Sequence, residues 1–194
     1  MISPEIVADK RELILAGAEK VFARSGYSTA RVEDIAEEAG VAKGTIYLYF
    51  PSKQEVAVSL IEERANDFVV LMQKQLQGLD QAHQVLAVIV QTHVDFYLLH
   101  MGLLDVLFQS LPQLSPDLQV RLCQGQAKVR NMIIQSIQGF VAADCPVSLG
   151  SIEAIISGST SSLIINKLHS DQPIVPQEIV DDVVTIVGPG LFRE

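Results

Sequence analysis

Tryptophan is absent from the 194 residues, and aromatic side chains make up only 6% of them. Aliphatic side chains must therefore fill any core, and a hydrophobic content of 48% supplies enough of them. Cysteine is scarce too. Cys123 and Cys145 are too few for a disulfide scaffold and lack CxxC spacing. They read as buried, unreactive thiols. Long apolar runs are missing: the most apolar stretch, 85–99, is interrupted by Gln91, Thr92, His93 and Asp95. It falls short of the roughly 20 residues that a membrane span needs. The opening MISPEIVADKRE has no basic stretch followed by an apolar one, so no signal peptide is expected. No low-complexity tract interrupts the chain, and its length suits one or two small domains. Together these absences predict a soluble, cytoplasmic protein with no membrane partner.

Positive charge is also in short supply. Lys and Arg number 14 and Asp and Glu 23, so the net charge is 14 − 23 = −9. That excludes a uniformly basic coat for nucleic acid. The local sums differ, however. Residues 1–53 hold seven basic and eight acidic residues, a net of −1. The remaining 141 hold seven and fifteen, a net of −8. Only the N-terminal quarter can tolerate an anionic partner.

Helical periodicity runs through the chain and predicts an all-α fold. Ser3-Pro4-Glu5 has the cap, first-turn proline and early carboxylate of a helix start. Leu13, Ile14, Ala18, Val21 and Phe22 recur at helical spacing until Ser25-Gly26. Short helices follow over about 32–39 and 43–49, separated by Gly40. Longer ones are expected over about 52–76, 81–100 and 115–142, with a short one between Gly102 and Pro112. Two more cover about 148–169 and 176–187, the last closed by Gly188-Pro189-Gly190. The Val- and Ile-rich 174–187 has β propensity, but Pro176 suits a first helical position, and Ile179, Val183, Val184 and Val187 share one helical face.

The segment Val32–Lys53, VEDIAEEAGVAKGTIYLYFPSK, carries the most information. Two short helices joined by a tight turn form a helix-turn-helix. Its physical demands are met: small Ala36 where the helices cross, Gly40 for a positive φ in the turn, and Ile46 as the inner anchor. Val32, Ile35 and Val41 fill the space between. The outer face offers Lys43, Gly44, Thr45, Tyr47 and Leu48, nearly free of carboxylates, as an element entering a major groove requires.

From Ile14 to Lys53 the chain strongly resembles the TetR-type transcriptional regulators. The resemblance is carried by Phe22…Gly26-Tyr27, Ile35-Ala36…Ala39-Gly40-Val41, Gly44-Thr45-Ile46-Tyr47-Leu48-Tyr49-Phe50 and Lys53. It implies a homodimer with a DNA-binding domain over residues 1–51 and a ligand-binding, dimerising domain over 52–194. It also implies that Lys43–Tyr49 is the recognition helix. Thr45 and Tyr47 would reach base edges or adjacent phosphates. Lys43, Tyr49 and Lys53 would hold phosphates, and Gly44 would let the backbone approach DNA. Arg31 is a further phosphate candidate. Two positions depart from the family pattern. Ala42 replaces the usual Ser or Thr cap, a loss of roughly 1 kcal/mol. Ala30-Arg31 replaces a common Thr, leaving Thr29 or Ser28 to cap the first motif helix.

In the larger domain, Phe68, Met72, Val94 and Leu98 are expected to wall an apolar pocket. His93, Tyr97, Gln109, Gln124 and Asn131 are candidate polar orienters. Arg121 reads either as an i,i+4 partner of Asp117 or as a counter-ion for an acidic ligand. His93 and His100 share a helical face, but a zinc site needs more ligands than they supply, so no metal or cofactor is expected. Ile155, Gly158, Ser162 and Ile165 on one helix, with Ile179, Val183 and Val187 on the next, are expected to form the two-fold interface. No nucleophile motif or phosphate loop supports an enzyme. The leading expectation is a repressor that leaves its double-stranded operator when a small apolar or amphipathic effector binds. A regulator whose larger domain binds a protein instead, or a helical carrier or enzyme that does not bind DNA, are the alternatives.

Overall fold

The computed structural model describes residues 4–100, 114–170 and 172–191. The short helix expected between Gly102 and Pro112, the cap at Ser3 and the site candidate Gln109 lie outside the described residues. Eight helices and no strand are present among those described. They are α1 (Pro4–Ser25), α2 (Val32–Glu38), α3 (Lys43–Tyr49), α4 (Lys53–Gln75), α5 (Ala82–Leu99), α6 (Pro116–Ile137), α7 (Leu149–His169) and α8 (Pro176–Leu191).

Two of these boundaries differ from the periodicity reading. Helix α6 stops at Ile137 instead of running to 142, because the chain turns at Gln138-Gly139 and the Phe140 N–H returns to the Ile137 carbonyl at 3.0 Å. Helix α8 continues through Gly188-Pro189-Gly190 to Leu191. Gly188 sits 3.9 Å, by its would-be Cβ, from Leu86 of α5. Packing thus carries the helix past residues that would end an isolated one.

The chain divides into two compact units. One comprises Met1–Arg64 with His100–Gly125, and the other Ala65–Leu99 with Gln126–Glu194. The division therefore falls inside α4 and α6, each of which contributes to both units.

In the first unit α1 supplies Ile14, Leu15, Ala18, Val21 and Phe22, all buried. Ile35 of α2, Ile46 of α3, Phe50, and Val56, Leu60 and Ile61 of α4 complete that core, with Leu114 just before α6 and Leu118 and Leu122 within it. Each of these side chains larger than alanine contributes about 1.5–3 kcal/mol through burial. Helices α2 and α3 have seven residues each, too short to persist alone. Their stability comes from this core. The second unit buries Phe68 and Met72 of α4, Val85, Leu86, Ile89, Val90 and Val94 of α5, Ile133 and Ile137 of α6, and matching residues of α7 and α8.

Candidate functional site

The turn between α2 and α3 is built on Gly40, whose φ of 65° falls in the left-handed region. That conformation lets the Gly40 N–H reach the Glu37 carbonyl at 3.1 Å and the Val41 N–H reach the Ala36 carbonyl at 2.9 Å. The second bond spans the turn in the way a glycine-capped helix end requires. The chain is thereby aimed into α3. Ala42 opens α3 with no side-chain cap, so the missing Ser or Thr leaves a free helix start. At the head of α2 the Arg31 N–H donates to the Asp34 carboxylate at 3.2 Å. Neither Thr29 nor Ser28 caps α2. The Thr29 hydroxyl turns back to the Ser25 carbonyl at the end of α1, because Gly26 reverses the chain there with a φ of 72°.

Ile46 alone of α3 is fully buried, and it anchors the helix in the core. The opposite face is open: Leu48 is 83% and Tyr47 46% exposed, and Lys43 and Gly44 are exposed as well. A Cβ added at Gly44 would meet nothing within 4 Å. Folding therefore does not need glycine at that position, which leaves room for a partner. Lys43 pairs with Glu33 of α2 and lies 5.9 Å from the Tyr47 ring centroid. The hydrogen bond to Glu33 holds the ammonium above its ordinary value. Arg31 is exposed and Thr45 half-buried.

Two expected phosphate contacts have partners within the unit. Tyr49 packs half-buried against the core of the unit. Lys53 turns inward: its Nζ donates to the carbonyls of Tyr27 at 2.7 Å, Ser28 at 3.4 Å and Ala30 at 2.9 Å. It also sits 4.5 Å from the Tyr27 ring centroid, and burial pushes its value below that of an ordinary lysine. A second feature escaped the sequence reading. Gly17 of α1 lies so close to Ala39 that an added Cβ would stand 3.0 Å from both its Cβ and its backbone nitrogen. Gly17 thus sets the distance between α1 and the motif. A glycine inside a strongly helical run was its only visible sign.

Arg121 belongs to the first unit and is committed there. Its guanidinium forms a fork on Glu62 at 3.0 and 2.6 Å, reaches Glu55 at 2.7 Å and Ser59 at 3.2 Å. The Glu62 bonds, helped by those to Glu55, outweigh desolvation and hold the guanidinium above its ordinary value. Residues 55, 59 and 62 share one face of α4, so three partners outcompete the single carboxylate of Asp117. Neither the Asp117 pairing nor a free counter-ion for a ligand survives. Gln124 and Asn131 are exposed. Leu118, Leu122, Gly125, Ile133 and Ile137 face inward on α6, and positions 124 and 131 fall on its other side.

Phe68, Met72, His93 and Tyr97 are brought into the same unit. The His93 ring lies 4.9 Å from Phe68 and 6.3 Å from Tyr97, and the Tyr97 hydroxyl accepts from Ser161 at 2.8 Å. Burial drives His93 down to about 4, against the small opposing effect of its bond to the Ile89 carbonyl. At pH 7 the ring is neutral. His100 instead bonds to Glu19 in the first unit, so the two histidines form no common site. Burial disfavours ionisation of Glu19, but the His100 bond and the nearby Arg64 outweigh it and hold its carboxyl below the usual value. Among the described residues no group of His, Cys, Asp or Glu could hold a metal ion. Cys123 is exposed and Cys145 half-buried, contrary to the reading of both as buried; position 123 follows Leu122 onto the outer side of α6.

The expected interface residues divide into two sets. Ile179, Val183 and Val187 are buried inside their own unit, because that face of α8 packs against α5 and α7. Ile155, Gly158 and Ser162 lie on the open side of α7, with Ile165 half-buried. Ile186, which the sequence reading did not single out, is 79% exposed on α8. No described helix is long and apolar enough to cross a membrane.

Comparison with known proteins adds four findings. Residues 14–60 match the family model of bacterial regulatory proteins, tetR family. The fatty acid metabolism regulator protein of Bacillus subtilis is 30% identical over 128 residues, which make up 66% of this chain and 60% of that protein. The regulator HbdR of Aromatoleum is 26% identical over 139 residues, or 72% and 61% of the two chains. The matched part therefore spans about three-fifths of each relative. Among solved structures, the regulator FadR of Bacillus subtilis in complex with stearoyl-CoA superposes with a TM-score of 0.78 at 25% identity, covering 92% of this chain and 98% of that one. The motif, its turn glycine and its buried anchor agree with the family match, and residues 14–60 carry the DNA-binding domain of bacterial regulatory proteins of the tetR family.

Proposed function

We propose that the protein is a homodimeric repressor that binds a near-palindromic operator through α3 and releases it when an apolar or amphipathic effector occupies the second unit. The observation that carries this reading is the open face of α3. A seven-residue helix anchored by one buried isoleucine presents Lys43, Gly44, Tyr47 and Leu48 outward, with space left at Gly44. Such a face costs solvation and serves no packing role. A major groove accommodates it, with backbone approach at Gly44 and side-chain contact from Tyr47 and Thr45. Lys43 and Arg31 would supply phosphate contacts.

The similar Bacillus protein binds stearoyl-CoA, as its solved structure states, and a long acyl chain suits the aliphatic and aromatic interior around Phe68, Met72, His93 and Tyr97. His93 is neutral and offers a polar edge without bringing a buried charge. The two-fold interface would use Ile155, Gly158, Ser162 and Ile165 of α7 with Ile186 of α8, whose apolar atoms are otherwise left in water. The test is promoter protection by the purified protein with and without stearoyl-CoA. Protection over two half-sites about one helical turn apart, lost on adding the acyl-CoA, is the expected result. Acyl-CoA binding that leaves protection intact would remove the effector role, and no protection of any promoter would remove DNA binding.

A further inference from the structure

The ammonium of Lys53 closes a chain segment whose content is the whole helix-turn-helix. Its partners are the carbonyls of Tyr27, Ser28 and Ala30, just before α2, and Lys53 itself opens α4, four residues after α3 ends. Everything between, including the turn at Gly40 and the open face of α3, lies inside the loop so closed. An ammonium has three donors, and three carbonyls face it here. The Tyr27 ring lies 4.5 Å away and is itself buried against Phe22, at a centroid distance of 5.5 Å. One end of the clip is therefore fixed to α1 and the other to α4.

We propose that Lys53 is a positioning residue for DNA recognition, a polar clip that fixes both ends of the helix-turn-helix to each other, and not a phosphate contact. A phosphate oxygen could reach Nζ only by displacing backbone carbonyls that have it as a partner. Closing a loop of some twenty residues restricts the motion of everything within it, and α3 must arrive at the groove in one orientation for its side chains to register. The role rests on the proposed DNA binding, but the clip itself exists in the free protein and can be tested there.

The informative variant is Lys53→Met, which keeps the apolar stem and removes all three donors. In the free protein, amide hydrogen exchange across residues 30–50 is expected to accelerate, while the core of α1 stays protected. On a duplex protected by the wild-type protein, affinity is expected to fall about tenfold or more, with the active fraction in a stoichiometric titration unchanged. The slope of log K against log salt is expected to stay the same, because no phosphate contact is lost. Lys53→Arg, which retains donors and charge, is expected to restore most of the exchange protection. It also carries the test if the methionine variant fails to fold. A slope shallower by about one, with unaltered exchange in the free protein, would show a phosphate contact and overturn the proposal. A reduced active fraction with normal affinity would reduce Lys53 to a stability role and overturn it as well. If the wild-type protein protects no DNA, the repressor reading fails by itself, and the exchange experiment still decides whether the clip exists.

Discussion

The two units solve the same problem by different means. The first holds short helices in a set geometry through specific points: the left-handed Gly40, the close approach at Gly17, the Lys53 clip and the Arg121 fork on α4. The second relies on bulk aliphatic burial along long helices, with valine and isoleucine at position after position and few polar ties. Local specification suits a surface that must present α3 in one orientation. Non-specific burial suits an interior that can rearrange around a guest, since it is sensitive to volume and less so to identity. If that contrast is right, changes in the second unit should act mainly on stability, and changes in the first mainly on recognition.

The largest effect is expected where the second unit's core receives a charge. Val183→Asp buries a carboxylate within an aliphatic cluster, at a cost of several kcal/mol, enough to unfold a marginally stable domain. Ile186→Asp, three residues on but exposed, should leave the thermal transition nearly in place and shift sedimentation toward the monomer. A folded, monomeric Val183→Asp would mean that α8 presents the opposite face, and the contrast between the two residues would collapse.

Next in size is the buried imidazole. His93 titrates near 4 when folded against an ordinary value of 6.5, so the unfolded chain binds more protons between those limits. Its contribution is fully present above about pH 6.5 and is lost as pH falls toward 4, on the order of 3 kcal/mol in all. Denaturant midpoints measured from pH 7 to 4 should fall, and His93→Gln should flatten that fall. An unchanged pH profile in the variant would show that other groups carry it.

Recognition by the first unit should respond to smaller changes. Tyr47→Ala removes a half-exposed side chain that no core residue needs, so the melting curve should hardly move. Specific operator affinity should fall by about 1–3 kcal/mol, with affinity for unrelated duplex little changed. Equal losses on both kinds of DNA would place Tyr47 on the phosphate backbone.

These expectations show what the sequence made legible and what it hid. Spacing revealed the motif because its constraints are local: Gly40, Ile46 and Ala36 act within a few residues of each other. Periodicity also revealed the apolar faces of α7 and α8, but not which face turns inward, since both carry isoleucine or valine. Val183 therefore faces the core where an exposed position was expected, and Ile186, which the spacing did not single out, is the exposed one. The partners of Lys53 and Arg121 stay hidden because they lie 23–26 and 59–66 positions away in the chain. A family pattern places a lysine at 53 without saying which way it points. Gln124 and Asn131 are polar, but the register of α6 turns both to its exposed side, which polarity alone does not reveal.

The finest test of the contrast is Gly44→Ala. Glycine in a helix interior is less favourable than alanine by about 1 kcal/mol. At position 44 an added methyl group meets nothing within 4 Å, so the substitution should leave the fold intact and raise stability by up to that amount. Gly17→Ala is the opposite case, because its methyl group would press on Ala39 at 3.0 Å and should lower stability. If α3 brings its backbone against a groove wall, the methyl group at 44 must intrude there. Operator affinity should then fall by a few-fold, on the order of 1 kcal/mol, in a protein that is more stable than the parent. Paired melting and binding measurements on the two variants check this. A Gly44→Ala protein that gains stability and keeps its full operator affinity would show that the backbone at 44 does not approach DNA, leaving its side-chain neighbours to carry the contact.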